Sequence, residues 1–233
     1  MASMSIIVPV LNEAPCIAAM LEALGDLRAA GVEIIVVDGG STDATVELAS
    51  PLADHVLIAS PGRACQMNAG TTVARGDILL FLHADTFLPT GAVDLVNHAL
   101  NAVHSWGRFD VRIEGRSAWL PVVATMMNWR SRLTGIATGD QAMFVSRAAI
   151  DAVGGFPDIP LMEDIALSRR LRKIGRPACL RAQVVTSGRR WEKNGFWKTI
   201  ALMWRLRLRY FFAADARQLA VEYGYVSRES RIA

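Results

Sequence analysis

Across the first hundred residues, short runs that are apolar throughout alternate with longer stretches of helical periodicity. Residues 5–10, 33–37, 55–58 and 77–82 read as strands. Between them lie helical patterns over about residues 15–30, ended by Gly31, from Ser41 onward, over 63–74, ended near Gly76, and over 90–103. Strands without polar alternation suit burial on both faces, so an α/β protein with a mainly parallel, Rossmann-like sheet flanked by helices is expected. Such sheets bind ligands beyond the carboxyl ends of their strands. Three polar clusters fall there: Asn12 with Glu13, Asp38 through Ser41, and His83 through Asp85. They are expected to share one rim.

The second half is less regular. Residues 106–114 read as a strand, 119–133 as a helix, 141–146 as a strand, and 163–174 as a helix stopped by Gly175. No repeat or linker divides the chain. It is expected to form a single domain, with a first half over about 1–105, a second over about 106–195, and a C-terminal amphipathic helix and tail over 196–233.

Composition narrows the classes. The chain is 52% hydrophobic, yet it contains no run of about 20 apolar residues that could span a membrane. The longest apolar stretch, 118–127, is interrupted by Pro121, and the N-terminus lacks the basic region of a signal peptide. Cys16, Cys65 and Cys179 have no metal-ligand spacing and suggest no disulfide framework, so small buried thiols in a reducing cytoplasm are expected. The net charge of +3 is unevenly placed, with thirteen Lys or Arg and one acid, Glu192, between positions 169 and 209. That third of the chain suits phosphate groups or lipid headgroups, and no nucleic-acid partner is expected.

Singly, the polar clusters are weak signals: Asp38 before two glycines can shape a turn, and Asp85 can cap a helix. Together at successive strand ends they suit a phosphorylated ligand and a hard cation, because carboxylates at such positions are costly unless paired.

The chain resembles the family 2 glycosyltransferases, which have the GT-A fold, and is closest to a small bacterial branch without transmembrane helices. The likeness runs from about residue 5 to 191 and rests on an ordered set of segments: SIIVPVLNE (5–13), VVDGGSTD (36–43), GRACQMNAG (62–70), FLHAD (81–85), GDQ (139–141), GGFP (154–157) and MED (162–164). The resemblance implies transfer of a sugar from a UDP- or GDP-linked donor to an acceptor that the sequence does not name.

It places Pro9, Glu13 and Asp38 at the nucleotide, with Gly39 where the family carries a second acid. Arg63, Gln66, Asn68 and Ala84 are expected near the donor, Asn68 also fixing loop geometry. Asp85 stands at the end of the family's Asp-x-Asp metal motif, to hold Mn²⁺ or Mg²⁺ with the diphosphate. His83 replaces the first acid, either as a metal ligand, since imidazole tolerates Mn²⁺ better than Mg²⁺, or as a hydrogen-bonding partner of the donor. Glu163 and Asp164 match the family's acid pair, with Asp164 as general base of an inverting displacement; without the resemblance, acids opening a helix read as favourable dipole partners. Gln141 and Trp191 are expected on the acceptor side. Arg189 or Arg190 is expected to stabilise the leaving diphosphate, Arg190 being the one that matches the family's Gln-x-x-Arg-Trp motif. Ser187 stands where that motif has Gln, so transfer of a single sugar is expected rather than polymerisation.

Residues 196–212 combine aromatic and basic side chains, with Lys198, Arg205 and Arg209 on one helical face and Arg207 opposite. Such a helix suits peripheral contact with the inner face of the cell membrane and a lipid acceptor. The alternatives are a helix packed on the core with solvated arginines, and a homodimer contact. A nucleotidyltransferase shares the sheet architecture but needs a Gly-rich basic loop after the first strand, where this chain has Leu11-Asn-Glu-Ala-Pro15. A catalytically idle nucleotide-binding scaffold at a membrane draws support from His83 and Gly39 standing in for acids; retention of Asp38, Asp85 and Asp164 argues against it.

Overall fold

The computed structural model describes residues 2–212 and 214–224; residues 225–233 of the expected tail lie outside them. Strands β1 (Met4–Val10), β2 (Glu33–Asp38), β3 (His55–Ile58) and β4 (Ile78–Phe81) pair in parallel, in the order β3-β2-β1-β4. All seven residues of β1 are buried, as expected of a central strand covered on both faces. Gln66 staples the ends of β1 and β2, donating from one amide nitrogen to the carbonyls of Val10 (2.8 Å) and Val37 (2.7 Å).

The sheet continues with β7 (Met143–Ser146), β6 (Trp106–Glu114), β8 (Ala178–Ser187) and β5 (Thr86–Phe87), giving eight strands in the order β3-β2-β1-β4-β7-β6-β8-β5. Here β7 runs antiparallel to both β4 and β6, β8 is parallel to β6, and β5 is antiparallel to β8. The parallel half therefore joins a mixed half. Gly107 on β6 is demanded by packing: a Cβ there would lie 2.5 Å from the Ala178 carbonyl and from the Phe144 ring.

Helices cover both faces. They are α1 (Ile17–Glu22), α2 (Gly25–Ala29), α3 (Thr45–Ala49), α4 (Arg63–Val73), α5 (Ala92–Ala102), α6 (Leu120–Thr134), α7 (Arg147–Val153) and α8 (Glu163–Leu171), with α9 (Arg189–Asn194), α10 (Phe196–Phe211) and α11 (Ala216–Tyr223) at the C-terminal end. One core cluster joins Ile6, Val8, Ile34, Leu80 and Phe109; a second, on the opposite face, joins Ile7, Ile35, Leu79, Trp106 and Leu167. Alternate residues of each strand thus serve opposite layers.

Several elements differ from the sequence reading. The single helix expected over 15–30 is split at Gly25, a weak helix former followed by Asp26. Gln141 lies in a 3-10 turn (Gly139–Gln141) and not in the strand, because Ala142 adopts φ 43° and re-aims the chain before β7 begins. Strand β8 and helices α7 and α11 are additions.

Candidate active site

The ends of β1 and β4, the turn at Gly139–Gln141, the start of α8 and the C-terminal helices surround a cleft of about 780 Å³. From the donor-side strands, Pro9, Glu13, Gln66, His83, Ala84 and Asp85 reach it, with Arg63 from the start of α4. Glu163, Asp164 and Trp191 line it as well. Asp85 and Asp164 therefore line one cavity, although 79 positions separate them.

Arg189 bridges the donor wall. Its Nη2 donates to Glu13 Oε2 at 3.0 Å and to Asp85 Oδ2 at 3.4 Å. The hydrogen bond to Glu13 raises the affinity of this guanidinium for its proton against the opposing effect of burial. The neighbouring Cys16 thiol is pushed up to about 12 by burial and by its hydrogen bond to Glu13. It is therefore a packing group and not a thiolate. Arg190 lies in α9, but its side chain falls outside the described residues.

His83 faces Asp140, with Nδ1 at 3.3 Å from Oδ1. Burial pushes the Asp140 carboxyl up, yet the hydrogen bond and charge of His83, with Arg63 and Arg207, outweigh it and hold the group at about 2. Glycine at 139 is obligatory because a Cβ would overlap the His83 imidazole.

Met162 takes the left-handed conformation (φ 69°) and turns the chain so that α8 begins at the cleft. A non-glycine residue held there stores strain on the order of 1 kcal/mol or more. Asp164 accepts from the N–H of Gly139 (2.9 Å) and of Ile165 (2.7 Å), which ties α8 to the His83–Asp140 pair. Glu163 is buried; desolvation, with the charge of Asp164, lifts its carboxyl to about 7 against the pull of Arg63. The adjacent carboxyls are thus unlike in environment, Glu163 holding a proton at neutral pH more readily than an ordinary glutamate.

Three expected residues serve the framework instead of lining the cleft. Asp38 is buried and accepts from the N–H groups of Gly40 and Ser41 (both 2.8 Å) and from the Ser41 hydroxyl, closing its own turn. Asn68 holds Phe156 by both backbone groups, at 2.9 Å each. Gln141 is fully buried and donates to Ser131 at 3.1 Å and to Asn128 at 3.3 Å. Gly39, in place of a second acid, also has a steric reason, since a Cβ would stand 3.2 Å from the Gln66 amide.

The cleft also recruits residues that sequence reasoning did not assign to it. Asp140 belongs to the quoted GDQ segment, but only the folded chain shows it meeting His83. Arg207, set opposite the other bases of α10 by helical periodicity, lines the cleft with Thr199 and Met203. Tyr223 and Gly224 close the edge from α11, which is held to α10 by Glu222 accepting from Arg205 (3.1 Å) and Arg209.

Among solved structures, the fold is similar to S. aureus TarS 1-349 in complex with UDP-GlcNAc, with a TM-score of 0.63 and 19% identity, covering 79% of this chain and 58% of that one. It is also similar to the mannosyltransferase PcManGT from Pyrobaculum calidifontis in complex with GDP-Man and Mn²⁺, with a TM-score of 0.62 and 23% identity, covering 88% of this chain and 60% of that one. A curated relative, the PGL/p-HBAD biosynthesis glycosyltransferase of Mycobacterium bovis, is 37% identical over 91 residues. That match covers 36% of each protein, so the chain spans about a third of the length of the curated relatives it matches. Residues 5–152, well over half of the chain, match the family model described as Glycosyl transferase family 2, and on that match, with the fold and cleft above, the chain belongs to the family 2 glycosyltransferases.

Proposed function

We propose that the cleft transfers a single sugar from a nucleoside-diphosphate sugar to an acceptor hydroxyl with inversion, and that Asp164 is the general base. The observation that carries this reading is that Asp85 and Asp164 line one cavity, with a guanidinium, Arg189, held at Asp85. The acceptor oxygen attacks the anomeric carbon as its proton passes to Asp164. The bond from that carbon to the phosphate oxygen breaks, and its electron pair leaves with the nucleoside diphosphate. Burial lifts the Glu163 carboxyl to about 7, so it carries a proton part of the time at neutral pH, and Asp164 is the acid assigned to take the acceptor's proton. Arg189 and Arg63 supply positive charge on the donor side, and Trp191 offers an apolar face to a sugar ring. Residues 1–105 then act as the donor half and 106–195 as the acceptor half.

The residues present fit a divalent cation that arrives with the diphosphate. Among the described residues no group of three or more His, Cys, Asp or Glu side chains could hold a metal alone. Mg²⁺ and Mn²⁺ need no such cage when phosphate oxygens complete the shell, and Asp85, with His83 beside it, offers suitable donors. When bound, the cation would neutralise charge developing on the departing diphosphate. The TarS structure is a complex with UDP-GlcNAc, and that of the Pyrobaculum enzyme a complex with GDP-Man and Mn²⁺. Both nucleotide classes therefore belong in the test.

The test is hydrolysis and transfer assayed on UDP- and GDP-sugars with Mn²⁺ or Mg²⁺, alongside thermal shift. Asp164→Asn should keep the donor-induced rise in melting temperature and lose transfer, and Asp85→Ala should lose slow donor hydrolysis. Transfer surviving in Asp164→Asn would remove the base assignment. Donor binding without turnover in the wild type would favour the idle scaffold.

A further inference from the structure

On α6 and the residue before it, Trp119, Val122, Met126, Trp129 and Leu133 recur every third or fourth position and are all exposed, Trp129 by 67%. On α10 the same spacing sets Trp197, Trp204, Leu208 and Phe211 outward, Trp204 by 65%. The stripes meet where the Trp119 and Trp197 rings stand 5.8 Å apart. Four of the chain's six tryptophans thus lie on one pair of helices with half or more of their surface in solvent. A soluble surface ordinarily scatters such side chains singly.

Charge identifies what this face suits. Of the six Arg or Lys on Leu120–Thr134 and Phe196–Phe211, Arg130 buries its Nε and Nη2, Arg132 pairs with Asp110 and Arg207 lines the cleft. That leaves Lys198, Arg205 and Arg209 beside the α10 stripe against the single acid Glu222, a net basic border. A second copy of the chain docking through the same face would set base against base, which disfavours a self-complementary dimer. A bilayer with anionic headgroups offers the opposite charge, and tryptophan favours the boundary between headgroups and acyl chains. Among the described residues no helix is long and apolar enough to cross a membrane, so the contact this face offers is a surface one.

We propose that α6 and α10 form a docking face for an anionic membrane surface. Met127 of α6 and Thr199, Met203 and Arg207 of α10 line the cleft from neighbouring positions on the same helices. Docking would therefore bring the cleft beside the bilayer, where an acceptor hydroxyl carried by a lipid could enter. This last step rests on the transfer reading; the docking itself does not.

The experiment is co-sedimentation of the full chain with vesicles of phosphatidylcholine alone and of phosphatidylcholine mixed with phosphatidylglycerol, without donor or metal. The wild type should sediment with the anionic vesicles, with a blue shift of tryptophan emission, and be released at about 1 M salt, where charge attraction is screened. Trp129→Ser combined with Trp204→Ser should weaken partitioning about tenfold or more, given the apolar area removed. Both side chains are exposed, and an unchanged circular-dichroism melt would show that the fold is kept. Ile58→Ser, at an exposed residue of β3, should sediment like the wild type. No sedimentation with anionic vesicles, or equal sedimentation by the double variant, would overturn the proposal. So would a concentration-dependent dimer, seen by analytical ultracentrifugation, that the double variant abolishes. Vesicle binding needs no catalysis, so its failure and the failure of the transfer reading are seen separately.

Discussion

Glu163→Gln isolates the least ordinary titration in the cleft. Burial and the neighbouring Asp164 charge raise this carboxyl from 4.5 to about 7, so the folded protein keeps a proton that the unfolded chain releases. Between those values the native state binds more protons, and stability falls as pH rises. At about 1.4 kcal/mol per pH unit, the difference accumulates to about 3 kcal/mol, fully present below pH 4.5 and lost by about pH 7. A glutamine keeps the shape and cannot ionise. Urea denaturation at several pH values between 4 and 8 should therefore show wild-type stability falling relative to Glu163→Gln by that order. The two should nearly agree at the acid end. Parallel pH dependences would mean that Glu163 titrates as an ordinary surface glutamate, and the account of a proton-holding neighbour for Asp164 would fail with it.

Further predictions concern the framework and the cleft wall. Asn68→Ala removes two hydrogen bonds to the backbone of Phe156 and should cost about 2 kcal/mol in urea unfolding; a loss under about 0.5 kcal/mol would deny the clamp. Arg130 has Nε and Nη2 buried without a partner, and burial, with the charge of Arg207, lowers its pKa to about 10. Arg130→Met should raise ligand-free stability by about 1 kcal/mol, and a lowered melting temperature would contradict this. With its thiol held near 12, Cys16 should alkylate at pH 8 far more slowly than free cysteine, on the order of a thousandfold by thiolate fraction. Mass spectrometry of iodoacetamide-treated protein checks this, and a free-cysteine rate would refute it.

The parallel half of the sheet was legible because each of its strands is a short apolar run bounded by turn residues. Strand β8 was not, since Arg181 and Gln183 interrupt its pattern, and it gains order from pairing along β6, where the register shifts between Phe109 and Asp110 and leaves Arg181 and Ala182 of β8 out of the ladder. His83 and Asp85 were expected at the cleft from their place after a strand, and Glu163 and Asp164 from the family resemblance; all four line it. Asp140 escaped because its meaning lies in a neighbour 57 positions away. Asp38 and Gln141 look chemical in one dimension, yet in three their polar atoms are occupied by the backbone or by buried neighbours.

Helix α10 has no idle side. Lys198, Arg205 and Arg209 form one edge, with Arg205 and Arg209 clasping Glu222; Thr199, Met203 and Arg207 form another, at the cleft; Leu206 is sealed in a small core with Leu219; and the tryptophan edge meets solvent. Adding or deleting one residue within it would rotate everything beyond by about 100° and exchange all of these roles at once. The helix can therefore be tuned by substitution, but its phase is locked.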